Sequence, residues 1–347
     1  MPNIIEKSLK ELQEEFKNLG LPAFRAKQVY KWIHHKLTFS FDEMTDLPKE
    51  LRDRLKEQYS IETLRVKHKT KAKDGTVKYL FELADGKAIE SVFIKTKDDR
   101  KTVCLSTQVG CPLDCLFCAT GKLGFNRNLT AAEIISQAYL IANEHPDISN
   151  LVYMGMGEPF LNYDNVMRSV AIFTSDEGAN FGQRRITIST CGLADKIKEF
   201  AEEKTQVRLA VSLNSADDAL RGKLMPVNRK FPLTVLRQSL EYYSKTSNRM
   251  VTLEYVMLDG VNDREADLKK LINFCRGLDC KVNLIRFNRF GHDFRPSRVE
   301  AIDHFVKGLL GAQINAVVRR SRGEAIGAAC GQLALRPVEG LAGKTSN

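Results

Sequence analysis

From residue 102 onward the chain alternates between strand-like and helix-like stretches, and this alternation limits what it can fold into. Strand patterns fall at about 102–107, 150–154, 185–189, 207–213, 251–257 and 282–287, with a further one at 314–319. Helical patterns lie between them, near 130–144, 162–174, 193–203, 232–246, 263–276 and 298–310. The first of these opens on Thr130 and Glu133, spaced as a capping box. Strand–helix alternation predicts a parallel sheet joined by right-handed crossovers. About six units is fewer than the eight that close a barrel. The pattern alone fits either a partial barrel or an open doubly wound sheet. A hydrophobic content of 43% is enough for a full core in either case.

The first hundred residues read differently. Ile5, Leu9, Leu12, Phe16 and Leu19 recur at helical spacing up to Gly20. Phe24, Val29, Trp32, Ile33 and Leu37 do the same, and a third helix follows a turn near 40–48. Residues 1–60 are therefore expected to form a helical module, read as RNA-binding, whose faces bear Arg25, Lys27, Lys31, Lys36 and Arg52. His34 and His35 are expected at its surface. Residues 61–100 change to alternation around Asp74-Gly75 and Asp85-Gly86, a hairpin signal, and are read as an antiparallel connector. Lys67, Lys69, Lys71 and Lys73 share one strand face, either as a phosphate-facing stripe or as a solvated edge. Residues 101–336 would form the main α/β domain, and 337–347 a flexible tail.

The formal net charge is +10, which favours a polyanionic partner such as RNA, although a basic enzyme with a solvated surface fits equally. No apolar run approaches membrane-spanning length and the first residues are charged, so a cytoplasmic protein without a membrane is expected. Eight cysteines in 347 residues do not make a disulfide scaffold. Their clustering suggests a metal in a reducing compartment. A monomer is expected.

Three of those cysteines, Cys111, Cys115 and Cys118, fall in a C-x3-C-x2-C loop bracketed by Gly110 and Pro112. Soft thiolates suit iron–sulfur clusters and zinc, and either usually takes four ligands. The stretch to Asn128 offers no further Cys, His or Glu, and its only Asp is Asp114 inside the motif. Three thiolates on a four-iron cube would leave one iron open. A zinc knuckle with a distant fourth ligand is the alternative, and Cys115–Cys118 alone could be a redox pair. The carboxyl ends of parallel strands are where such folds place active sites. These ends carry the GMGEP segment with Gly157 and Glu158, then Ser189, then Ser212, Leu213 and Asn214, then Asn288. Any one of them could be an ordinary loop cap. Among the remaining cysteines, Cys191, Cys275 and Cys280 are read as inert thiols. Cys330 lies in RGEAIGAACGQL, whose small residues suggest an exposed, closely approached backbone.

The cysteine spacing, with Phe117 before the last cysteine, resembles the cluster loop of radical S-adenosylmethionine (SAM) enzymes. CLSTQVGCPLDCLFCATGKLGFNRNLT, GMGEP, LMPVNRKFP, VNLIRFN and RGEAIGAACGQL together resemble the RlmN/Cfr family of radical SAM RNA methyltransferases over nearly the whole chain. The ending is more RlmN-like than Cfr-like. The resemblance implies a partial (β/α)6 barrel and one [4Fe-4S] cluster held by Cys111, Cys115 and Cys118. It implies SAM bound through Gly157, Glu158, Ser189, Ser212, Leu213, Asn214 and Asn288. Two SAM molecules would be used per turnover. One would methylate Cys330, and the other would yield a radical that activates that S-methyl group. Cys104 would release the product through a transient disulfide, and either Glu90, which matches the family's proton acceptor, or Cys104 would accept the C2 proton. The implied target is the C2 carbon of adenosine in 23S ribosomal RNA and in tRNA beside the anticodon, or C8 in Cfr-like enzymes. The implied electron donor is a flavodoxin or ferredoxin. Arg229 and Lys230, with Arg319, Arg320 and Arg322, are candidate RNA-backbone contacts; a colourless zinc-stabilised RNA-binding protein is the non-enzymatic rival. Two positions depart from the family pattern: Asn214 stands where His is frequent, and Ala325 where Asp is common.

Overall fold

The computed structural model describes residues 1–96, 98–290, 294–319 and 321–335. Arg320 and the expected tail lie outside them. Three helices come first: α1 (Leu9–Asn18), α2 (Ala23–His34) and α3 (Lys49–Gln58). Ser8 and Glu11 close a capping box on α1. Strands β1 (Arg65–Lys71), β2 (Val77–Glu82), β3 (Ala88–Lys95) and β4 (Lys101–Cys104) follow as an antiparallel run. After β4 a small two-stranded sheet, β5 (Gln108–Gly110) and β6 (Phe125–Asn128), frames the cysteine loop.

The alternating region then runs α4 (Ala131–Glu144), β7 (Asn150–Tyr153), α5 (Tyr163–Phe173), β8 (Ile186–Thr190), α6 (Ala194–Glu202) and β9 (Arg208–Ser212). It continues through α7 (Asp218–Leu224), α8 (Leu233–Ser247), β10 (Val251–Met257), α9 (Glu265–Cys275), β11 (Cys280–Arg286), α10 (Val299–Gly311) and β12 (Asn315–Arg319). Thr130 caps α4 through the expected box with Glu133. One ten-stranded sheet results, in the order β1-β2-β3-β4-β7-β8-β9-β10-β11-β12. Every pairing from β4 to β12 is parallel, as the strand–helix alternation requires. Residues from β4 through β12 line one interior cavity, so the sheet curls around it as a partial barrel. The antiparallel strands extend the same sheet, with Val92 of β3 opposite Cys104 of β4.

Strand β1 is an edge. Lys67 bonds Glu82 at 2.9 Å and Lys69 pairs with Glu144, so half of the lysine stripe is engaged by carboxylates of this chain. The helical module docks on the main domain through polar and apolar contacts. Arg168 of α5 grips both oxygens of Glu11 at 2.9 and 3.0 Å, and Lys27 reaches Glu177 at 2.5 Å. His34 does not lie at the surface as expected. It is fully buried, packed 4.3 Å from the Tyr30 ring, with Nδ1 2.9 Å from the hydroxyl of Tyr139 on α4. It follows Tyr30 by one helical turn and shares the face that α4 covers. Phe24 errs the other way: counted on the apolar face, it is 56% exposed beside Arg25.

Burial pulls the His34 pKa down to about 3, from 6.5. The unfolded chain takes up a proton as pH falls below 6.5, and the folded chain does not. Stability from this group is therefore complete above about 6.5 and is lost as pH falls towards 3, by about 1.4 kcal/mol per pH unit. Urea unfolding of the whole chain at stepped pH should show this slope, and His34→Phe should flatten it over that window.

Candidate active site

The cysteine loop hangs between β5 and the short helical turn at Thr120–Leu123. Gly110 takes φ +76, and a Cβ there would stand 1.7 Å from the Gly124 carbonyl oxygen, so only glycine lets the two limbs meet. Leu116 donates to the Leu224 carbonyl at 3.0 Å, and Cys118 to that of Cys115 at 3.1 Å. These bonds turn Cys111, Cys115 and Cys118 into one cavity of about 140 Å³.

The same cavity is lined by Gly157, Glu158, Ser189, Ser212, Asn214, Asn288 and Cys330. Six of the seven residues that the sequence suggested for SAM thus share one wall. The exception is Leu213, whose side chain is in the core. Its main chain is fixed instead, with N–H donating to the Glu254 carbonyl at 2.9 Å. Glu158 is buried and accepts from the N–H groups of Phe160 at 3.1 Å and Cys191 at 2.7 Å. Burial raises its pKa, and these donors pull in the opposite direction. A carboxylate has about four lone-pair sites, so capacity remains for a ligand ammonium. The glycines of GMGEP serve the chain as well as any ligand. A Cβ on Gly155 would meet Ser106 Oγ at 2.6 Å, and one on Gly157 would meet Gln108 Cβ at 2.5 Å. Asn214, at the first departure from the family pattern, sits at φ +55 and accepts from Val256 N–H at 2.8 Å. Ala325, at the second, is exposed.

Sequence reasoning missed Cys191. It lines the cavity with the three motif cysteines, and its thiol contacts that of Cys115. It follows Thr190, the last residue of β8, so the strand-end rule extended two residues past Ser189 would have found it. Burial pushes the thiols of Cys111 and Cys118 up, and the crowding of neighbouring cysteines adds to this. A site that gathers buried thiols while opposing their ionisation suits a cationic iron centre, which reverses that bias. Among the described residues, no three His, Cys, Asp or Glu side chains converge as a site for a single metal ion. The thiol donor set fits an iron–sulfur cluster, with Cys111, Cys115 and Cys118 as the residues that could hold it.

A second cavity, about 570 Å³, fills the barrel interior and meets the first along Cys118, Thr120, Met154, Gly155, Glu254, Ile285, Cys330 and Gly331. Cys104 and Cys330 both line it. Burial first, then the nearby Cys330, pushes the Cys104 thiol up to about 12. All eight cysteines are free thiols. Arg319, expected to face RNA, turns inward and bonds Glu254 at 3.2 Å. A buried carboxylate on a central strand needs a cation, and β12 supplies it. Arg322 lines the same cavity, whereas Arg229 and Lys230 are exposed.

The Cys330 loop is closely approached, as its small residues suggested, but only part of it is exposed: Glu324 and Ala325 face solvent, Ala328 and Ala329 are buried, and Cys330 is half-buried. Gly331 accepts from Ala119 N–H at 2.7 Å, Leu333 from Thr120 Oγ1 at 2.8 Å, and Cys330 from Asn288 Nδ2 at 3.2 Å. Glu90 lines neither cavity. It is buried, with Oε1 2.9 Å from Lys78 Nζ and Oε2 accepting from Ala334 N–H at 2.9 Å and Leu335 N–H at 3.3 Å. In this arrangement it ties down the segment that follows Cys330.

Residues 105–272 match the Radical SAM superfamily, and residues 2–61 match the ribosomal RNA large subunit methyltransferase N-terminal domain. A probable dual-specificity RNA methyltransferase RlmN of Heliobacterium modesticaldum is 47% identical over 325 residues, spanning 90% of this chain and 84% of that protein. The dual-specificity RNA methyltransferase RlmN of Geobacter sulfurreducens is 45% identical over 327 residues, spanning 94% of this chain and 90% of that one. The crystal structure of a radical SAM methyltransferase from Sphaerobacter thermophilus superposes with a TM-score of 0.92 at 43% identity, covering 96% of this chain and 99% of that chain. Likeness of this extent, in sequence and in fold, leaves one conclusion: the chain belongs to the RlmN family of radical SAM RNA methyltransferases.

Proposed function

We propose that this chain methylates the C2 carbon of adenosine in 23S ribosomal RNA and in tRNA next to the anticodon, through an S-methyl intermediate on Cys330. The observation that supports it most directly is the shared interior cavity of Cys104 and Cys330, which opens onto the wall of the three motif cysteines. An adenine C2 carbon is not nucleophilic and cannot displace a methyl group from SAM. A thiol can, so Cys330 carries the methyl group first. The cluster and SAM, when bound, supply the one-electron chemistry that activates this carbon; two SAM molecules are consumed per turnover.

The remaining work falls to the chain's own groups. Cys111, Cys115 and Cys118 hold the cluster, and Glu158 receives the SAM ammonium. Gly157, Ser189, Ser212, Asn214 and Asn288, with the Leu213 main chain, position the rest of SAM. Cys104, once deprotonated, attacks the Cys330 sulfur; an S–S bond forms as the S–C bond breaks, and the departing carbon keeps the electron pair and takes up a proton to become the methyl group of the product. The C2 proton goes to Glu90 in the reading that the family resemblance supports. Glu90 lines neither cavity, so in this reading it must swing away from Lys78 and the loop N–H groups to reach the base. The target nucleotide leaves its stack to enter the barrel. The helical module 1–60, the connector 61–100 and the barrel 101–336 divide the work between RNA capture and chemistry. A flavodoxin or ferredoxin donates the electron to a monomer in the cytoplasm; among the described residues no helix is long and apolar enough to cross a membrane.

Mass spectrometry of nucleosides from RNA treated with protein, SAM and reductant should show 2-methyladenosine; an 8-methyl product would instead place the chain with C8 enzymes. Cys330→Ala should abolish the product, and Cys104→Ala should leave a covalent protein–RNA adduct visible on a denaturing gel. A Cys330→Ala protein that still methylates would overturn the covalent route.

Cluster loading separates Cys191 from the motif. Anaerobically purified protein should be brown, with iron and sulfide near four each per chain. Cys115→Ala should lose the colour, and Cys191→Ala should keep it with full iron. Iron lost in Cys191→Ala would make that thiol a fourth ligand, and the vacant-iron reading would fall.

Neutralising Arg229, Lys230 and Arg322 together should weaken RNA binding and reduce the slope of log affinity against log salt by about one for each phosphate that is no longer neutralised. An unchanged slope would remove these residues from the RNA surface.

A further inference from the structure

Helix α7 packs directly against the cysteine loop: the Leu224 carbonyl at its end accepts the Leu116 N–H between Cys115 and Cys118. In its middle stands Arg221, which is fully buried. Its Nε donates to the Leu213 carbonyl at 3.0 Å, and Nη1 to Asn228 Oδ1 at 2.8 Å. Nη2 donates to the carbonyls of Cys191 at 2.7 Å and Ser212 at 3.2 Å. All four acceptors are neutral. Asp218 lies one step further away: Asn228 stands between, passing its own Nδ2 to Asp218 Oδ1 at 2.9 Å. Among the described residues no carboxylate pairs with this guanidinium directly. Burial pulls its pKa down to about 10, so it stays cationic at neutral pH.

An unpaired buried charge costs several kcal/mol, and folds retain one where an opposite charge arrives later. Nη2 reaches the carbonyl of Cys191, a residue that lines the cavity with Cys111, Cys115 and Cys118, so the guanidinium lies directly behind the wall of that site. Gly192 makes room for this contact, since a Cβ there would stand 3.1 Å from Nη2. Every thiolate bound to a cluster brings one negative charge, and reduction adds another.

We propose that Arg221 is the buried counter-cation of the cluster site, a positioning residue that raises the reduction potential of whatever cluster the loop holds. The inference rests on the reading that Cys111, Cys115 and Cys118 carry an iron–sulfur cluster. A fixed positive charge beside the site favours the more negative, reduced form. Its four hydrogen bonds fix the guanidinium in place, so the effect is built into the fold and needs no rearrangement on reduction.

The test uses the full chain, reconstituted anaerobically as wild type, Arg221→Gln, Arg221→Lys and Asn228→Asp. Iron and sulfide are counted, thermal unfolding of each cluster-free protein is recorded, and the cluster is titrated by electron paramagnetic resonance without SAM. In Arg221→Gln the ratio of reduced to oxidised cluster at a fixed solution potential should fall about tenfold, a shift of about 59 mV for one electron. Arg221→Lys, which keeps the charge, should recover most of that ratio. Asn228→Asp leaves the guanidinium in place, sets a carboxylate against Nη1, and should shift the ratio in the same direction as Arg221→Gln. It also keeps the proposal testable if Arg221→Gln fails to fold. Wild-type ratios in both Arg221→Gln and Asn228→Asp would reduce Arg221 to a structural role and overturn the proposal. So would an Arg221→Lys protein that shifts as far as Arg221→Gln. Wild type without iron would instead defeat the cluster reading itself.

Discussion

The site depends on a few hydrogen bonds accepted by the backbone carbonyls of the Cys330 loop, two of them from the cysteine loop more than two hundred residues earlier. Ala119 N–H to Gly331 O, at 2.7 Å, is the shortest of them. Thr120 to Leu333 and Asn288 to Cys330 fix the same junction from either side. Gly331 takes φ +82, and a Cβ there would stand 3.1 Å from the Phe117 carbonyl oxygen. A larger residue would therefore meet both backbone strain and the cysteine loop. This junction brings the Cys330 thiol to the same cavity as the cysteine loop, and neither segment could achieve that alone. Local sequence dictates each loop, and the curl of the sheet brings them together.

Chemistry inside a barrel requires polar groups in a place that penalises them. Glu254 and Arg319 answer each other across the interior cavity. Cys104, close to that pair, stays protonated at neutral pH because burial outweighs the nearby guanidinium. In the proposed role of Cys104, a thiol that is protonated at rest is guarded against premature reaction with Cys330, since the thiolate is the attacking form.

Much of this was legible in the sequence where the information is local. The cysteine spacing, the capping box at Thr130 and the order of strands and helices each depend on neighbours within a few residues. So does the rule that strand ends collect polar groups, which located Ser189, Ser212, Asn214 and Asn288. Side-chain direction was less legible. His34 has the composition of a surface residue and lies under α4; Arg319 looks like a phosphate contact and turns inward to Glu254. Cys191 read as inert because seventy-six positions separate it from Cys115 in the chain, yet the parallel sheet puts β8 beside β7 and closes that gap. Each case is decided by a partner on another element, and periodicity within one element carries no record of such a partner.

Lys78 and Glu90 make the same point about purpose. The pair is nearly inaccessible, with the two atoms 2.9 Å apart. Ion pairs buried this deeply add little net stability over apolar residues of equal size, because desolvating both charges cancels most of the attraction. Stability is thus a poor account of why the pair is here. Position is a better one. Glu90 Oε2 holds the N–H groups of Ala334 and Leu335, four and five residues past Cys330. Lys78 on β2 holds the carboxylate of Glu90 on β3, and Asp74, in the turn between β1 and β2, accepts from Gly323 at the start of the loop. The antiparallel strands β1–β3 therefore grip the Cys330 loop at both ends. An apolar replacement could fill the volume but would leave those N–H groups without acceptors, and the loop would lose the fixed geometry that its thiol requires.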